Sequence, residues 1–463
     1  MVARVVNSTT DSFADALVLL RNLYDINSSI LFIGRKSRTA TLMDYNLNRW
    51  ARNRRSAVAA VARLRPTAVL LVIVAFAVGT GALMAIAPPA GQSWTDPATG
   101  HRVVRLSSLP GNSESFYFHQ NAFTSAGDKL VFLNSTPGKG NRLFVLDWSD
   151  GKVSPLTGTG VRGGVVGWNR RQVYYQRQAD FYVTDLDTGQ TRTLAHVPFH
   201  GSVSSVNSDE TVAAGTYAEP GGTNIDTRGP KSEWFDKVFD AQRTQELFTV
   251  DLATGATNVF YRYQGWLNHL QFSPADPTLL MFCHEGPWHK VDRIWLIRTD
   301  GTGLRLVHRR SIPMEIAGHE FWSADGKTVW FDLQVPRGET FFLAGADVAP
   351  GGEKRYRIER DQWSVHYNIS RDGKLFAGDG GARNMVAHAT NGQWIWLFTP
   401  QVDGTVKGEH LVDMHKHDYR LEPNVNFSPD GKWVVFRGNF EGSPQVYAVE
   451  VAKPEETGAK QSP

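Results

Sequence analysis

Cysteine is almost absent from this chain: Cys283 is the only one among 463 residues, so an intramolecular disulfide is excluded. An excess of one charge is also lacking, since 49 Lys and Arg residues face 46 Asp and Glu residues, for a net charge of +3. From Ser93 onward there is no long basic run with interleaved aromatic residues, and we therefore expect no nucleic-acid partner. After residue 88 no segment has the length and periodicity of a long helix. What the chain does contain is 43 glycines and 14 tryptophans, which favours a β protein rich in turns.

The first 92 residues differ in composition from the rest. Residues 1–66 form an N-terminal extension that ends in the basic run "RNRRSAVAAVARLRP", and residues 67–92 contain no charge. A basic segment, an apolar stretch and the small-residue site "AIA" are typical of an export signal. Residues 67–87 are also long enough to cross a bilayer of ~30 Å as a retained membrane anchor. The sequence therefore predicts a periplasmic or extracellular protein, either processed or anchored to the inner membrane.

One phrase, a polar turn rich in Ser, Asp and Gly followed by a short apolar strand, occurs seven times. The copies lie at 124–133, 167–176, 206–215, 272–282, 322–331, 370–379 and 427–436. Most copies are followed by a second strand that ends in a Gly-containing hairpin turn, as in "DFYVTDLDTGQTRTL". Repeated strand pairs of this kind predict an all-β, seven-bladed β-propeller over residues 93–455, followed by a disordered tail at 456–463.

Two further segments have a predicted place in the propeller. The strand "HRVVRLSS" at 101–108 is expected to complete the last blade and close the ring, which removes an open sheet edge. The spacing between the third and fourth copies widens, and the additional residues 217–244 are expected to form a loop or lid on one face.

Polar residues precede the repeated phrase in five of the blades, where the innermost strand begins next to the central channel. They are His119 and Gln120, His269, His319 and Glu320, Gln362 and His366, and His417 with Glu422 and Asn424. A single histidine at such a position is usually a hydrogen-bonded structural residue. Five polar blade starts that converge on one axis instead indicate a functional site. Neutral imidazoles with carboxylate or amide oxygens suit a divalent metal such as Mn, Zn or Fe.

Three motifs in this order resemble those of oligogalacturonate lyases. They are "CHEGPWHKVDRIW" at 283–295, "GHEFWSADG" at 318–326 and "HYNISRDG", which is followed by "GDG", at 366–380. The resemblance covers about residues 93–452. It implies a manganese-dependent β-elimination on short galacturonides from pectin, which would make an acidic oligosaccharide the substrate.

The resemblance also assigns roles to individual residues. It implies that His319 lies at the position of the family's catalytic base, that Arg293 activates the substrate and that His366 binds the metal. The family's remaining metal ligands belong to a Gln-x-x-His-x-His run. Alignment on "NFSPDG" places Tyr419, Glu422 and Asn424 at the positions of its Gln and two His residues, so none of the three matches. The chain is thus a divergent relative.

The complete predicted site combines these assignments with the polar blade starts. His319 and Arg293 are the predicted catalytic residues, and the predicted metal ligands are His366, Glu422 and Asn424. The predicted substrate-binding residues are His119, Gln120 and His284. The predicted cofactor is one divalent ion, Mn before others, and the protein is expected to be a monomer.

Two alternatives stay open at this level. The chain could be a non-catalytic exported propeller that binds a glycan or a protein partner, or a lyase that acts on a uronide other than pectin. A peptidase or esterase propeller is disfavoured, because the chain has no G-x-S-x-G element and no room for a catalytic domain after residue 452.

Overall fold

The structure, a computed structural model, describes residues 90–197, 201–219, 225–227 and 229–453. The predicted extension at 1–66, nearly all of the predicted signal or anchor at 67–92 and the predicted tail at 456–463 lie outside these residues. Within the described part, no helix combines the length and the apolar character that crossing a membrane requires.

Twenty-nine strands of the described chain form seven antiparallel sheets, which confirms the predicted seven-bladed propeller. The first two strands, which join the last blade, are β1 (Gln92–Thr95) and β2 (Arg102–Arg105). Blade 1 contains β3 (Asn112–Glu114), β4 (Lys129–Thr136), β5 (Gly140–Asp147) and β6 (Val153–Pro155). Blade 2 contains β7 (Val161–Val166), β8 (Gln172–Arg177), β9 (Asp180–Asp185) and β10 (Thr191–His196).

The next three blades repeat this order, and the third carries the one described α-helix. Blade 3 contains β11 (Ser202–Val206), β12 (Val212–Ala218), the helix α1 (Lys231–Asp240), β13 (Thr244–Asp251) and β14 (Thr257–Gln264). Blade 4 contains β15 (Trp266–Phe272), β16 (Leu279–Glu285), β17 (Ile294–Arg298) and β18 (Arg305–Leu306). Blade 5 contains β19 (Ile316–Trp322), β20 (Thr328–Gln334), β21 (Phe341–Asp347) and β22 (Glu353–Ile358).

The last two blades complete the ring. Blade 6 follows a short 3-10 helix at Arg360–Gln362 and contains β23 (Tyr367–Ile369), β24 (Phe376–Gly378), β25 (Trp394–Pro400) and β26 (Val406–Asp413). Blade 7 contains β27 (Asn426–Phe427), β28 (Trp433–Gly438) and β29 (Gln445–Glu450), together with β2 and β1.

The pairing of β2 with β29 closes the ring, as the sequence predicts. Val103 lies opposite Val449 and Val104 opposite Ala448, and β1 then adds a fifth strand outside β2. The last blade is therefore built from both ends of the described chain.

The core lies between neighbouring sheets, so the middle strands are covered on both faces. All seven residues of β20 are buried, and Trp148 of blade 1 meets Trp433 of blade 7 edge to face at 6.4 Å between ring centroids. This explains why the strands are apolar over most of their length, since a strand exposed on one face would alternate with polar residues. It also makes a buried acid such as Asp332 on β20 a conspicuous exception.

The segment 217–244, predicted to be a loop or lid, contains α1. Its residues Trp234, Phe235, Val238 and Phe239 form one half-buried face at helical spacing. Phe235 packs on Trp266 at the start of β15, with ring centroids 5.2 Å apart. The ring of Phe239 lies over Gly286, where an added Cβ would come within 2.4 Å of the ring. The helix is thus seated on the loop that follows β16.

Candidate active site

Blades 1, 4, 5 and 6 bring His119, His269, His319 and His366 together near the N-terminal ends of the innermost strands, and blade 1 does so through an irregular strand. Its inner strand is interrupted: Glu114 pairs with Leu133 and Phe123 pairs with Leu130, so residues 115–122 face only two residues of β4. The extra residues, which include Tyr117, Phe118 and His119, bend into the channel. The ring of Phe118 stacks on that of His366 at 4.8 Å.

A β-bulge places a histidine at the same point of two neighbouring inner strands. In β19, Gly318 pairs with Asp332 and Phe321 with Trp330, so His319 and Glu320 together oppose one residue. In β15 the same register shift falls between Asn268 and Gln271. The φ angles are 47° at His319 and 51° at His269. This left-handed backbone is uncommon for residues other than Gly and is maintained mainly where function needs it.

His319 is held by a carboxylate from the neighbouring strand. Its Nδ1 lies 2.9 Å from Oδ1 of Asp332, and both residues are buried. Burial, reinforced by the nearby His366, holds the pKa of His319 well below its usual value, so the imidazole is neutral. With Nδ1 bonded to Asp332, the remaining ring nitrogen, Nε2, has no hydrogen-bond partner among the described residues. It is therefore available as a base.

Asp332 is itself unusual. Burial raises its pKa to about 7, because its second oxygen, Oδ2, is enclosed with no hydrogen-bond donor. Ionised Asp332 accepts a hydrogen bond from Nδ1–H of His319 and so fixes the tautomer in which Nε2 carries the lone pair.

His366 is oriented in the same way by Asp379. Its Nδ1 lies 2.7 Å from Oδ2 of Asp379, while its Nε2 lies 3.2 Å from the hydroxyl of Tyr117 and 3.8 Å from Oε2 of Glu422. Burial acts to lower the pKa of His366, but the carboxylate of Asp379 outweighs it and the net shift is upward. The imidazole of His366 and carboxylate of Glu422 therefore face one point, with a second carboxylate behind the imidazole. A histidine that binds a divalent metal has this environment.

Asn424 lies beside this pair but its side chain is occupied. Its Oδ1 accepts a hydrogen bond from the backbone N–H of Phe118, and its Nδ2 donates to the carbonyl of Glu422. Tyr419 donates its hydroxyl proton to the carbonyl of Asp379. The structure thus brings His366 and Glu422 together as possible metal ligands, whereas Asn424 and Tyr419 tie neighbouring segments to each other.

Arg293 is fully buried between two carboxylates. Its Nη1 lies 2.5 Å from Oε1 of Glu285 and its Nε 3.1 Å from Oε2 of Glu320. Trp288 covers the guanidinium at 4.7 Å. Burial acts to raise the pKa of Glu285, but Arg293 outweighs it and holds that pKa well below its usual value. Arg293 therefore fixes the "HEGP" loop to β19, and whether it also contacts a substrate stays a prediction.

A second group of ligand-type atoms lies next to Arg293. His269, Cys283 and Glu285 have one possible ligand atom each within 4.8 Å of one another, the one such group of His, Cys and acidic side chains found among the described residues. Glu285 already neutralises Arg293, and burial raises the pKa of the Cys283 thiol well above its usual value. These conditions disfavour a cation, so His366 and Glu422 are the better metal candidates.

The predicted substrate-binding residues are divided between two places. His119 lies in the channel, 5.1 Å from Tyr117 and 6.1 Å from His269 between ring centroids, and Gln120 accepts a hydrogen bond from the Tyr117 backbone. His284 is outside this cluster, stacked on Tyr263 at 4.1 Å, and burial lowers its pKa to about 4.

Three members of the cluster were not predicted from the sequence: Tyr117, Asp332 and Asp379. Asp332 could have been found as the one acid within the apolar strand "TVWFDLQ", and Asp379 is the acid of the "GDG" motif. Tyr117 gives no comparable signal, because it lies in an aromatic stretch that resembles core. Burial, reinforced by Glu422, raises the pKa of Tyr117 well above its usual value. Its hydroxyl therefore stays protonated and can donate a hydrogen bond.

Comparison with known proteins gives a consistent result. A family model described as oligogalacturonate lyase matches residues 90–455. The oligogalacturonide lyase of Pectobacterium atrosepticum is 26% identical over 388 residues, which span 78% of this chain and 95% of that protein. The oligogalacturonate lyase of Dickeya dadantii is 26% identical over 389 residues, with the same coverage of 78% and 95%.

Solved structures show the same likeness. A structure of an oligogalacturonate lyase in complex with manganese is 26% identical, has a TM-score of 0.68 and covers 80% of this chain and 97% of its own. The oligogalacturonate lyase of Vibrio parahaemolyticus, at 24% identity and a TM-score of 0.67, covers 79% of this chain and 98% of its own and shows the shared fold.

Proposed function

Because the chain belongs to the oligogalacturonate lyase family, we propose that it cleaves 4-linked uronic acid oligosaccharides, oligogalacturonides before others, by metal-assisted β-elimination. The observation that carries the proposal is the His319–Asp332 pair, a neutral imidazole with one nitrogen held by a carboxylate and the other free. A non-catalytic propeller would have no need to keep a buried histidine in a left-handed backbone conformation.

The reaction makes two demands on the site. A base must remove the C5 proton, which lies next to the uronate carboxylate, and the O4 substituent must leave. That proton is weakly acidic because the carboxylate is already negative, so positive charge or hydrogen-bond donors must stabilise the charge that develops there.

His319 meets the first demand. Its Nε2 would take the C5 proton while Asp332 holds the imidazole in the required tautomer and stabilises the imidazolium that forms. Positioned bases of this kind contribute about 10²–10⁴ in rate.

The second demand falls on His366, Glu422 and Tyr117. His366 and Glu422 would hold a divalent ion, Mn²⁺ as the first choice since a related structure carries it, and the ion would neutralise the uronate carboxylate. Asp379 keeps Nε2 of His366 directed at this point. The protonated hydroxyl of Tyr117 lies within hydrogen-bonding distance of the same nitrogen and is a donor for a substrate oxygen. The predicted contacts of Arg293, His119, Gln120 and His284 with substrate remain predictions.

The proposal is tested by the ultraviolet absorbance of the unsaturated product. The purified protein is incubated with oligogalacturonides and, in parallel, with glucuronate- and rhamnose-containing uronides, with EDTA and after return of Mn²⁺. We expect a metal-dependent rise in absorbance, and we expect the rate of this rise to be about 10²–10⁴-fold lower in His319→Ala. His415→Ala is the matched control, because His415 is exposed and bonded to Asp413.

Each outcome distinguishes between the open interpretations. A rise on oligogalacturonides supports the proposal, and a rise on another uronide only would retain the lyase chemistry and replace the substrate. No rise on any uronide, with the protein folded and loaded with metal, would contradict the proposal and favour a binding propeller.

We also propose that the protein acts outside the cytoplasm as a monomer. The support for export is the basic and apolar character of residues 52–87, which also permits a retained anchor. Cell fractionation with N-terminal sequencing of the mature chain tests both forms, and sedimentation of the purified protein tests the oligomeric state. Protein recovered only from the cytoplasm, or a concentration-independent dimer, would contradict these proposals.

A further inference from the structure

The central channel continues from the catalytic cluster toward the C-terminal ends of the inner strands, where it forms a cavity. This cavity of about 140 Å³ is lined by residues from all seven blades, and nearly all of them follow the catalytic positions along the inner strands. In blade 5 the order is His319 and then Trp322, and in blade 6 it is His366 and then Arg371. We call this cavity the C-terminal chamber. His119 lies between the chamber and the catalytic cluster, since it lines the cavity and also contacts Tyr117.

The charge of the chamber is opposite to that of the catalytic half. The catalytic half contains the buried carboxylates of Glu285, Glu320, Asp332 and Asp379. The residues that line the chamber include no carboxylate, and their only permanent cation is Arg371. The guanidinium of Arg371 makes one long hydrogen bond, 3.3 Å to the carbonyl of Ser125, and has no ion pair with any acid in the described chain. Arg371 is thus an exposed arginine at the cavity mouth whose guanidinium is open to an anionic ligand.

Other groups in the chamber suit the rest of a sugar. Asn426 is 92% buried, at 8% exposure, and its Nδ2 has no hydrogen-bond partner within the described residues. An enclosed amide of this kind is costly unless a ligand or water oxygen accepts its hydrogen bond. Half-buried Trp168 and Trp322 add apolar ring surface to the wall. The volume of about 140 Å³ is well below the ~300–1,000 Å³ of pockets for drug-sized ligands. A ligand of about one sugar ring suits a cavity of this size.

We propose that the C-terminal chamber is a second binding site, which takes a single uronic acid monosaccharide with its carboxylate on Arg371 and a ring oxygen or hydroxyl on Nδ2 of Asn426. The identity of the sugar rests on the proposed function, because monouronates are the small products of uronide cleavage. The existence of an anion site rests on the chamber alone. A product bound there would lie on the opposite side of His119 from the catalytic cluster.

The test measures binding of galacturonate to the full protein by isothermal titration, with galactose and acetate as the neutral and ring-free probes. We expect galacturonate to bind at least about tenfold more tightly than galactose, because its carboxylate would form a charge-assisted hydrogen bond with Arg371 that galactose cannot form. Arg371→Gln should remove this preference when it is made in the His366→Ala background, in which the catalytic half lacks its proposed metal ligand. Arg192→Gln is the matched control, since Arg192 is an exposed arginine on the outer strand of blade 2.

A variant of the catalytic half separates the two sites. Galacturonate binding that persists in His366→Ala and is lost in Arg371→Gln supports the chamber, provided that both variants melt cooperatively. Binding lost in His366→Ala and kept in Arg371→Gln would place the sugar in the catalytic half and overturn the inference. Equal affinity for galactose and galacturonate, or no binding by the wild-type protein, would also overturn it. Since cleavage is measured separately, a protein that binds galacturonate through Arg371 but cleaves no uronide would refute only the proposed function.

Discussion

The carboxylate of Asp332 lies 2.9 Å from Nδ1 of His319, across the bulge that separates Gly318 from Phe321. When Asp332 is ionised, the imidazole proton lies on Nδ1 and Nε2 is basic. When Asp332 is protonated, its own hydroxyl can donate to Nδ1, which places the imidazole proton on Nε2 and removes the base. The protonation of Asp332 thus determines whether Nε2 of His319, the proposed base, carries a lone pair.

This pair predicts the pH dependence of cleavage. The pKa of Asp332 is raised to about 7, so the competent form gains population as the pH rises through that value. We expect kcat/KM to increase from pH 5 to pH 8 with a midpoint near 7. In Asp332→Asn the rate should fall by about 10²-fold or more and the midpoint should disappear, because the amide cannot ionise. A variant with an unchanged midpoint would show that another group sets the profile.

The bulge predicts an inverted order of stability for two substitutions of His319. In an ordinary strand Ala is more stable than Gly, but at a φ of 47° Gly avoids a cost of roughly 1–2 kcal/mol. His319→Gly should therefore have the higher free energy of unfolding in urea, although both variants lose activity. The same pair of substitutions at Phe321, which pairs regularly with Trp330, serves as the control and should give the normal order.

Asp379 predicts how the proposed metal site responds to a change behind His366, its proposed ligand. Asp379→Asn keeps the shape of the side chain but removes the charge that orients His366, and should weaken divalent-ion affinity by about 10–100-fold. Excess Mn²⁺ should restore most of the activity in this variant, whereas His366→Ala should not recover at any metal concentration. Measurement of bound metal after dialysis, beside the activity, checks both statements. Rescue of His366→Ala by metal would show that this imidazole is not a ligand.

His308 predicts a stability change with pH outside the active site. Its ring nitrogens lie 2.8 Å from Glu353 and 2.8 Å from Glu315, and although burial acts to lower its pKa, the two carboxylates raise it. Stability from a raised pKa is fully present below the unfolded value of about 6.5 and is lost as the pH rises through the folded value. The difference in stability between wild type and His308→Gln should thus be roughly 3 kcal/mol at pH 6 and should shrink in alkaline solution. A difference independent of pH would contradict the charged pair.

The contact of Phe239 with Gly286 predicts a compensating pair of substitutions. Gly286→Ala places a methyl group 2.4 Å from the Phe239 ring and should destabilise the protein by about 1–3 kcal/mol. Phe239→Ala removes the obstacle, so the double variant should be more stable than the sum of the single effects predicts. Strict additivity in urea unfolding would mean that α1 does not pack on this loop in solution.

The sequence was sufficient for the architecture because each blade repeats a local rule. "FSPDG" before β28 and "DTG" between β9 and β10 are turn signals that depend on a few neighbouring residues. The histidines before each turn could be predicted for the same reason, since their place in the repeat sets their place in the ring.

The details of the site depend on register, which the repeat does not encode. Strict alternation along β19 would direct Glu320 away from the channel side of His319, but the bulge adds a residue and Glu320 instead reaches Arg293. Asp332 lies on the second strand of its blade and Asp379 directly follows the second strand of the next, so neither belongs to the inner strands that face the axis. Their partnership with His319 and His366 exists only after the sheets have paired. The helix α1 was missed because its ten residues lie in a long insertion between strands.

The pairing of β2 with β29 has a consequence for how the protein is made. Blade 7 lacks its outer strands until β2, which begins at Arg102, pairs with β29, which ends at Glu450. The ribosome must therefore synthesise nearly the whole chain before the ring can close. Until then the first six blades form an open ring. Loss of β2 would leave β29 as a bare edge for other chains, so the residues from Arg102 onward are needed for a sealed ring. Closure of the ring is thus the last step in the folding of this propeller, and it depends on both ends of the described chain.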